Sequence, residues 1–248
     1  NPVKEEDEDN RRFLKDVEKW IGKKIERVVN PKYPNASTKE VWEQRRYMSG
    51  NAGAPCTQEL KKKAREHWEE NNHWDWMILG FTLDEKKRSD NFQKFERPNL
   101  IPLLIEEGLT KKDCFQFILD AGIELPRAYH LGYPNANCIG CVKAESPSYW
   151  NLVRKMNPDV FQDRAEQSRK IGAKLVRLHP KHDTKSYQAE NGDWIDSRDG
   201  SNLSRNKNGD KVKSPRVRIF LDELDPNVRA GKLKSLDVEC SSFCEIKI

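Results

Sequence analysis

No stretch of this 248-residue chain approaches the roughly 20 consecutive apolar residues of a membrane-spanning helix. No signal-peptide pattern is visible either. A cytoplasmic protein with no membrane partner is therefore expected. Apolar residues are scarce, 35% against 34% charged, so a highly charged surface and at least one long polar segment are expected. A dominant charge sign is missing too. The 45 basic and 40 acidic side chains leave +5, compatible with small anions or nucleic acid and diagnostic of neither. The five histidines show no ligand spacing, and His67 and His73, near Trp68 and Trp74, read as surface or interface residues. No internal repeat is evident. The chain opens without Met, on Asn1-Pro2-Val3-Lys4, and runs almost directly into a helical pattern. It reads like a chain cut at a strand end, with an upstream segment expected.

What the sequence does have is six cysteines, five of them in turn-like or terminal segments. A core-filling thiol has little reason to be there, and in a chain of this class thiols are reduced, metal-bound or catalytic rather than disulfide-paired. Cys138-Ile139-Gly140-Cys141 is the strongest local signal. Two thiolates two residues apart bind one metal centre from a single turn, and Gly140 permits the tight backbone. A redox pair is the rival, but the preceding Gly-Tyr-Pro-Asn-Ala-Asn loop is not a strand feeding a helix. Zinc and cubane clusters take about four ligands. Cys56 and one of Cys240 or Cys244 are the candidates to complete the set. Cys114, inside Phe115-Gln116-Phe117-Ile118 periodicity, reads as core.

Apolar spacing predicts helices over about 7–21, 41–47, 58–70, 110–121, 148–156 and 159–172, with a charged loop or helix over 84–95. Ile25 to Val29 and Trp76 to Phe81 are the strand candidates, and Asn99 to Leu104 reads as irregular or a short strand. Strands alternating with helices predict an α/β architecture with a parallel sheet. From His179 to Pro215 the composition turns to Lys, Asp, Asn, Ser and Gly, a long insertion or mobile loop with a hairpin expected at Asn208-Gly209. Lys61, Lys62, Lys63 and Arg65 form a basic helix face that is either solvated or reaches an oxyanion. Asp84, Glu85 and Arg88 follow an apolar strand at its carboxyl end, where parallel sheets bind ligands, and a guanidinium there suits an oxyanion.

In chain order these motifs resemble the phosphoadenosine-phosphosulfate (PAPS) and adenosine-phosphosulfate (APS) reductases of the adenine nucleotide α-hydrolase-like, PP-loop ATP pyrophosphatase superfamily. The likeness is greatest to reductase-like proteins of phages and mobile elements. Gly53 to Lys62 matches Gly-Ala-Pro-Cys-Thr-x-x-Leu-Lys-Lys. Gly80, Glu85 and Arg88 match part of Gly-x-Arg-x-x-Glu-Ser-x-x-Arg, with Thr82 where an arginine is common. Tyr129 to Tyr133 resembles the stretch before the paired cysteines, and Glu239-Cys240 the carboxy-terminal Glu-Cys-Gly. The chain departs from the pattern in four ways. The Ser-Gly-Gly-x-x-Ser phosphate loop is absent, Cys56 is single, Ser241 replaces a glycine, and Cys244 is extra.

The resemblance implies a doubly wound, mostly parallel sheet, incomplete at its N-terminus, over 1–178, then a polar insertion over 179–215 and a cysteine-bearing segment over 216–248. It implies Cys240 as nucleophile; Lys61, Lys62, Glu85 and Arg88 on the nucleotide or sulfate; and Cys56, Cys138, Cys141 and Cys244 around a [4Fe-4S] cluster, with zinc the alternative. The expected ligand is ATP, APS or PAPS, and the expected reductant is thioredoxin-like. Two other functions fit the same residues. One is ATP-dependent sulfur transfer to DNA or RNA; the other is a non-enzymatic module, monomeric or oligomeric, in a phage or defence complex.

Overall fold

The computed structural model describes residues 1–50 and 53–228. The first helix, α1 (Asp9–Ile21), ends where Gly22 takes a left-handed conformation and returns its N–H to Lys19. It is fixed to the body by Arg12, which pairs with Asp9 at 2.6 Å and donates to the carbonyls of Glu124 and Leu125 at 3.1 Å. Residues 24–29 follow in open conformation. Helix α2 (Thr38–Arg45) has Ser37 at its N-cap, and the Glu5 carboxylate accepts from both the Ser37 hydroxyl and the Thr38 N–H.

The next helical run is continuous but changes winding. It starts as α3 (Pro55–Thr57), widens to a π-helical turn over Gln58–Lys62, and returns to α geometry in α4 (Lys63–Glu69). Strand β1 (Met77–Ile78) leads through a 3₁₀ turn at Leu83–Glu85 into α5 (Lys86–Phe95), then strand β2 (Leu100–Ile101). Short α6 (Leu103–Glu106) precedes α7 (Lys111–Asp120), which opens with a reciprocal capping box between Thr110 and Asp113. Beyond α8 (Arg127–His130) and the Cys-x-x-Cys loop come α9 (Pro147–Met156) and α10 (Pro158–Ile171). Strands β3 (Val176–Leu178), β4 (Ser186–Gln188), β5 (Trp194–Asp196) and β6 (Val217–Ile219) complete the described chain.

The architecture is mixed helix and strand with small sheets. Among the described residues there are three two-stranded sheets, and only β1–β2 is parallel; β3–β6 and β4–β5 are antiparallel. Among the described residues the parallel pairing does not extend beyond these two strands. The predicted strand Ile25–Val29 forms no ladder, and the main chain of 26–29 has no hydrogen-bond partner in the described chain. The main core lies where α9 and α10 pack on β3 and β6, around Trp150, Val153, Val176, Ile219 and Leu221. A smaller cluster joins Val3, Tyr33, Val41 and Leu60, with Cys56 and Cys138 against it.

The 179–215 stretch is built rather than loose. Its β4–β5 hairpin is held by charge: Arg198 bonds Asp183 at 2.6 Å and Asp196 at 2.8 Å, all three little exposed. Asp193, 1% exposed, accepts from Asn202 and Arg205. The turn expected at Asn208-Gly209 is present, closed by the Arg205–Lys211 bridge. No helix among the described residues is long and apolar enough to cross a membrane.

Candidate thiol site

Three of the predicted ligand cysteines converge from two distant stretches of the chain. Cys56 follows Pro55, whose fixed φ suits the first helical position, so the thiol sits in the first turn of the helical run. Cys138 is placed by a main-chain bridge to Glu6. Cys141 donates its backbone N–H to the buried Tyr149 hydroxyl at 2.9 Å. Between them Gly140 adopts φ +70°, and a Cβ there would meet Val160 at 3.0 Å and Arg164 at 3.2 Å. Glycine is thus required both by the backbone angle and by the neighbours.

The loop leading in is clamped along its length. Lys111 donates to the Pro134 carbonyl at 3.0 Å and to Asn135 Oδ1 at 2.7 Å, and its ammonium lies over the Phe115 and Tyr129 rings. Asn10 donates to the Ala136 carbonyl, and the Tyr133 hydroxyl donates to Asn157. Arg164, 1% exposed, stacks over Trp42 and reaches the Gly140 carbonyl.

Burial sets the electrostatics. The Cys138 thiol is pushed up to about 12, first by desolvation, then by Glu6, Cys141 and Cys56, with Lys61 opposing. Cys56 is also raised by burial, and Cys141 adds to this; the Trp42 indole N–H and Lys143 favour its thiolate. That indole N–H is buried and makes no well-formed hydrogen bond elsewhere. The thiols therefore feel one another, burial favours the protonated form of Cys56 and Cys138, and one donor is poised. All four cysteines among the described residues are free. As they stand, no three Cys, His, Asp or Glu side chains among the described residues are arranged to hold a metal ion. The donor chemistry suits a soft metal, because thiolates select zinc and iron–sulfur clusters.

The other predicted site residues fall at different distances from this centre. Lys61 joins it, 3.6 Å from Glu6. Lys62 pairs with Glu96 at 2.5 Å, and Arg88 pairs with Glu85 at 2.5 Å while covering the Phe81 ring. Glu85 acts on Lys111, and so borders the clamp rather than the thiols. Cys240 and Cys244 lie outside the described residues. Cys114 sits on α7 but is only half-buried. Glu6, Trp42, Lys111 and Tyr149 were not singled out by sequence. Only Lys111 carried a signal, as a first-turn residue after a capping threonine. Comparison with family profiles, with curated proteins and with solved structures returns no match to this chain.

Proposed function

We propose that Cys56, Cys138 and Cys141 are the described part of a soft-metal centre in a protein that performs thiol chemistry on a sulfonucleotide such as APS or PAPS. The observation that carries the reading is the meeting of three free thiols from separate parts of the chain beside Lys61, under an indole N–H with no other partner. A bound iron–sulfur cluster or zinc would hold these sulfurs as thiolates and order the loop. Cys244 completes the ligand set, and the β1–β2 pair belongs to a doubly wound sheet.

On this reading the Cys240 thiolate attacks the sulfonyl sulfur. A sulfur–sulfur bond forms, the sulfur–oxygen bond to phosphate breaks, and adenosine phosphate leaves with the electron pair. One thiol of a dithiol reductant then attacks Cys240 Sγ and sulfite departs, leaving a mixed disulfide; the second thiol closes the reductant's own disulfide as the Cys240 thiolate leaves. Lys61 offsets the charge of the bound sulfate.

Anaerobic metal and sulfide analysis tests the centre. About four irons and four sulfides per chain support a cubane, one zinc supports a zinc site, and no metal overturns the proposal. Cys240→Ser should abolish sulfite release from APS and PAPS with metal content unchanged. Full activity in that variant rules out the nucleophile assignment.

A further inference from the structure

A cavity of about 470 Å³ opens between α1, residues 25–27, α7 and the α8 region. Its size falls within the range of small-molecule sites. Phe13 and Leu14 from α1, Phe115 and Ile118 from α7, and Leu125 and Tyr129 give it an apolar, partly aromatic wall. Three charged side chains border it: Glu6, Glu26 and Arg27. Glu6 is matched by Lys61, and Glu26 accepts the Trp68 indole N–H at 2.9 Å. Arg27 has no ion pair or hydrogen bond with any described residue. Glu26 keeps its charge, since an indole is neutral, and the Arg27 guanidinium is the bordering charged group left without a hydrogen-bond partner among the described residues. A guanidinium is the side chain best shaped to grip two oxygens of a carboxylate or sulfonate at once, while ring and aliphatic walls gain by removing apolar surface from water.

We infer that this cavity binds a small amphipathic anion, an aromatic or aliphatic body ending in one carboxylate or sulfonate held by Arg27. The cavity shares Glu6 with the border of the thiol centre, whereas Arg27, Phe13, Leu14 and Ile118 belong to the cavity alone. Cys114, in the cavity wall, serves as an internal reporter.

The test uses two probes, anilinonaphthalene sulfonate and decanoate, with neutral N-phenylnaphthylamine as control. Saturable binding of one probe per chain is expected, with Cys114 shielded from iodoacetamide when the probe is bound. Arg27→Gln, at an exposed position, should weaken both anions roughly tenfold, the worth of a charge-assisted contact, and leave the neutral amine unchanged. Cys138→Ser should leave all three affinities unchanged. Tighter binding of the sulfonate assigns an aromatic ligand, and tighter binding of decanoate an aliphatic one. Unaltered Cys114 alkylation in the presence of bound probe, or anion affinity indifferent to Arg27→Gln, overturns the inference.

Discussion

Helices α1 and α9 are both amphipathic by sequence, yet they meet different fates. The first carries Phe13, Leu14, Val17, Trp20 and Ile21 at helical spacing and buries none of them, leaving Trp20 53% exposed. The second buries Tyr149, Trp150 and Val153 against α10, β3 and β6. Periodicity states that a face exists, whereas only packing decides whether it is covered. The contrast extends to the sheets. Trp76 and Ile78 beside the parallel pair are 65% and 61% exposed, while Val176 and Ile219 in the antiparallel pair are sealed at 0% and 1%.

The contrast breaks if equal truncations cost the same on both sides. Trp150→Ala should lose about 3–5 kcal/mol in denaturant unfolding, whereas Trp76→Ala should stay within about 0.5 kcal/mol. Next comes an alkaline effect confined to the buried side. The Cys138 thiol titrates near 9.0 when unfolded and near 12 when folded, so the unfolded state holds fewer protons between those values. Stability should therefore fall as pH climbs from about 9 to 12. Tyr133, raised from 10.0 to about 12 by burial, acts in the same direction. Melting of the metal-free protein across that range, compared with Cys138→Ser, should show a flatter decline in the variant. An equal slope would remove the thiol from the account.

Glycines sharpen the comparison further. Gly140→Ala should cost about 2–4 kcal/mol, combining left-handed strain with overpacking against Val160 and Arg164. Gly22→Ala, at φ +65° with nothing within 4 Å of the added Cβ, should cost about 1–2 kcal/mol. Smallest of all is Arg88→Gln, which removes an exposed i,i+3 pair with Glu85 and should change stability by about 0.5 kcal/mol or less. A larger loss in urea titration would mean that the Phe81 contact matters more than the charge.

Helices were the legible part of this fold. Spacing placed α1 at 7–21 against the observed Asp9–Ile21, and α7 at 110–121 against Lys111–Asp120. Local apolar repeats and caps suffice for such elements. Ile25–Val29 was misread as a strand because alternation describes a chain ready to pair and says nothing about a neighbour. The 179–215 stretch, read as an insertion or mobile loop with one hairpin, shows more internal structure than its composition suggested, for the opposite reason. Its order rests on Arg198, Asp183, Asp193 and Asp196, and buried ion pairs leave no hydrophobic period to detect. At the thiol site the cysteines were visible from residue type and spacing. Glu6 and Trp42 were not, since their roles arise from contacts far apart in sequence.

The π-helical turn at Gln58–Lys62 has a consequence for which length changes the chain tolerates. Such a turn holds one residue more than an α-helix would use, and each helical residue advances the phase by about 100°. Deleting one residue within it would let the turn rewind as α-helix and leave the phase downstream nearly unchanged, with Ala64 still in the core and Arg65 still over the Phe92 ring. A missing codon in this turn would therefore do less harm than one in α4 just beyond it, where no spare residue exists and everything that follows would rotate by about 100°.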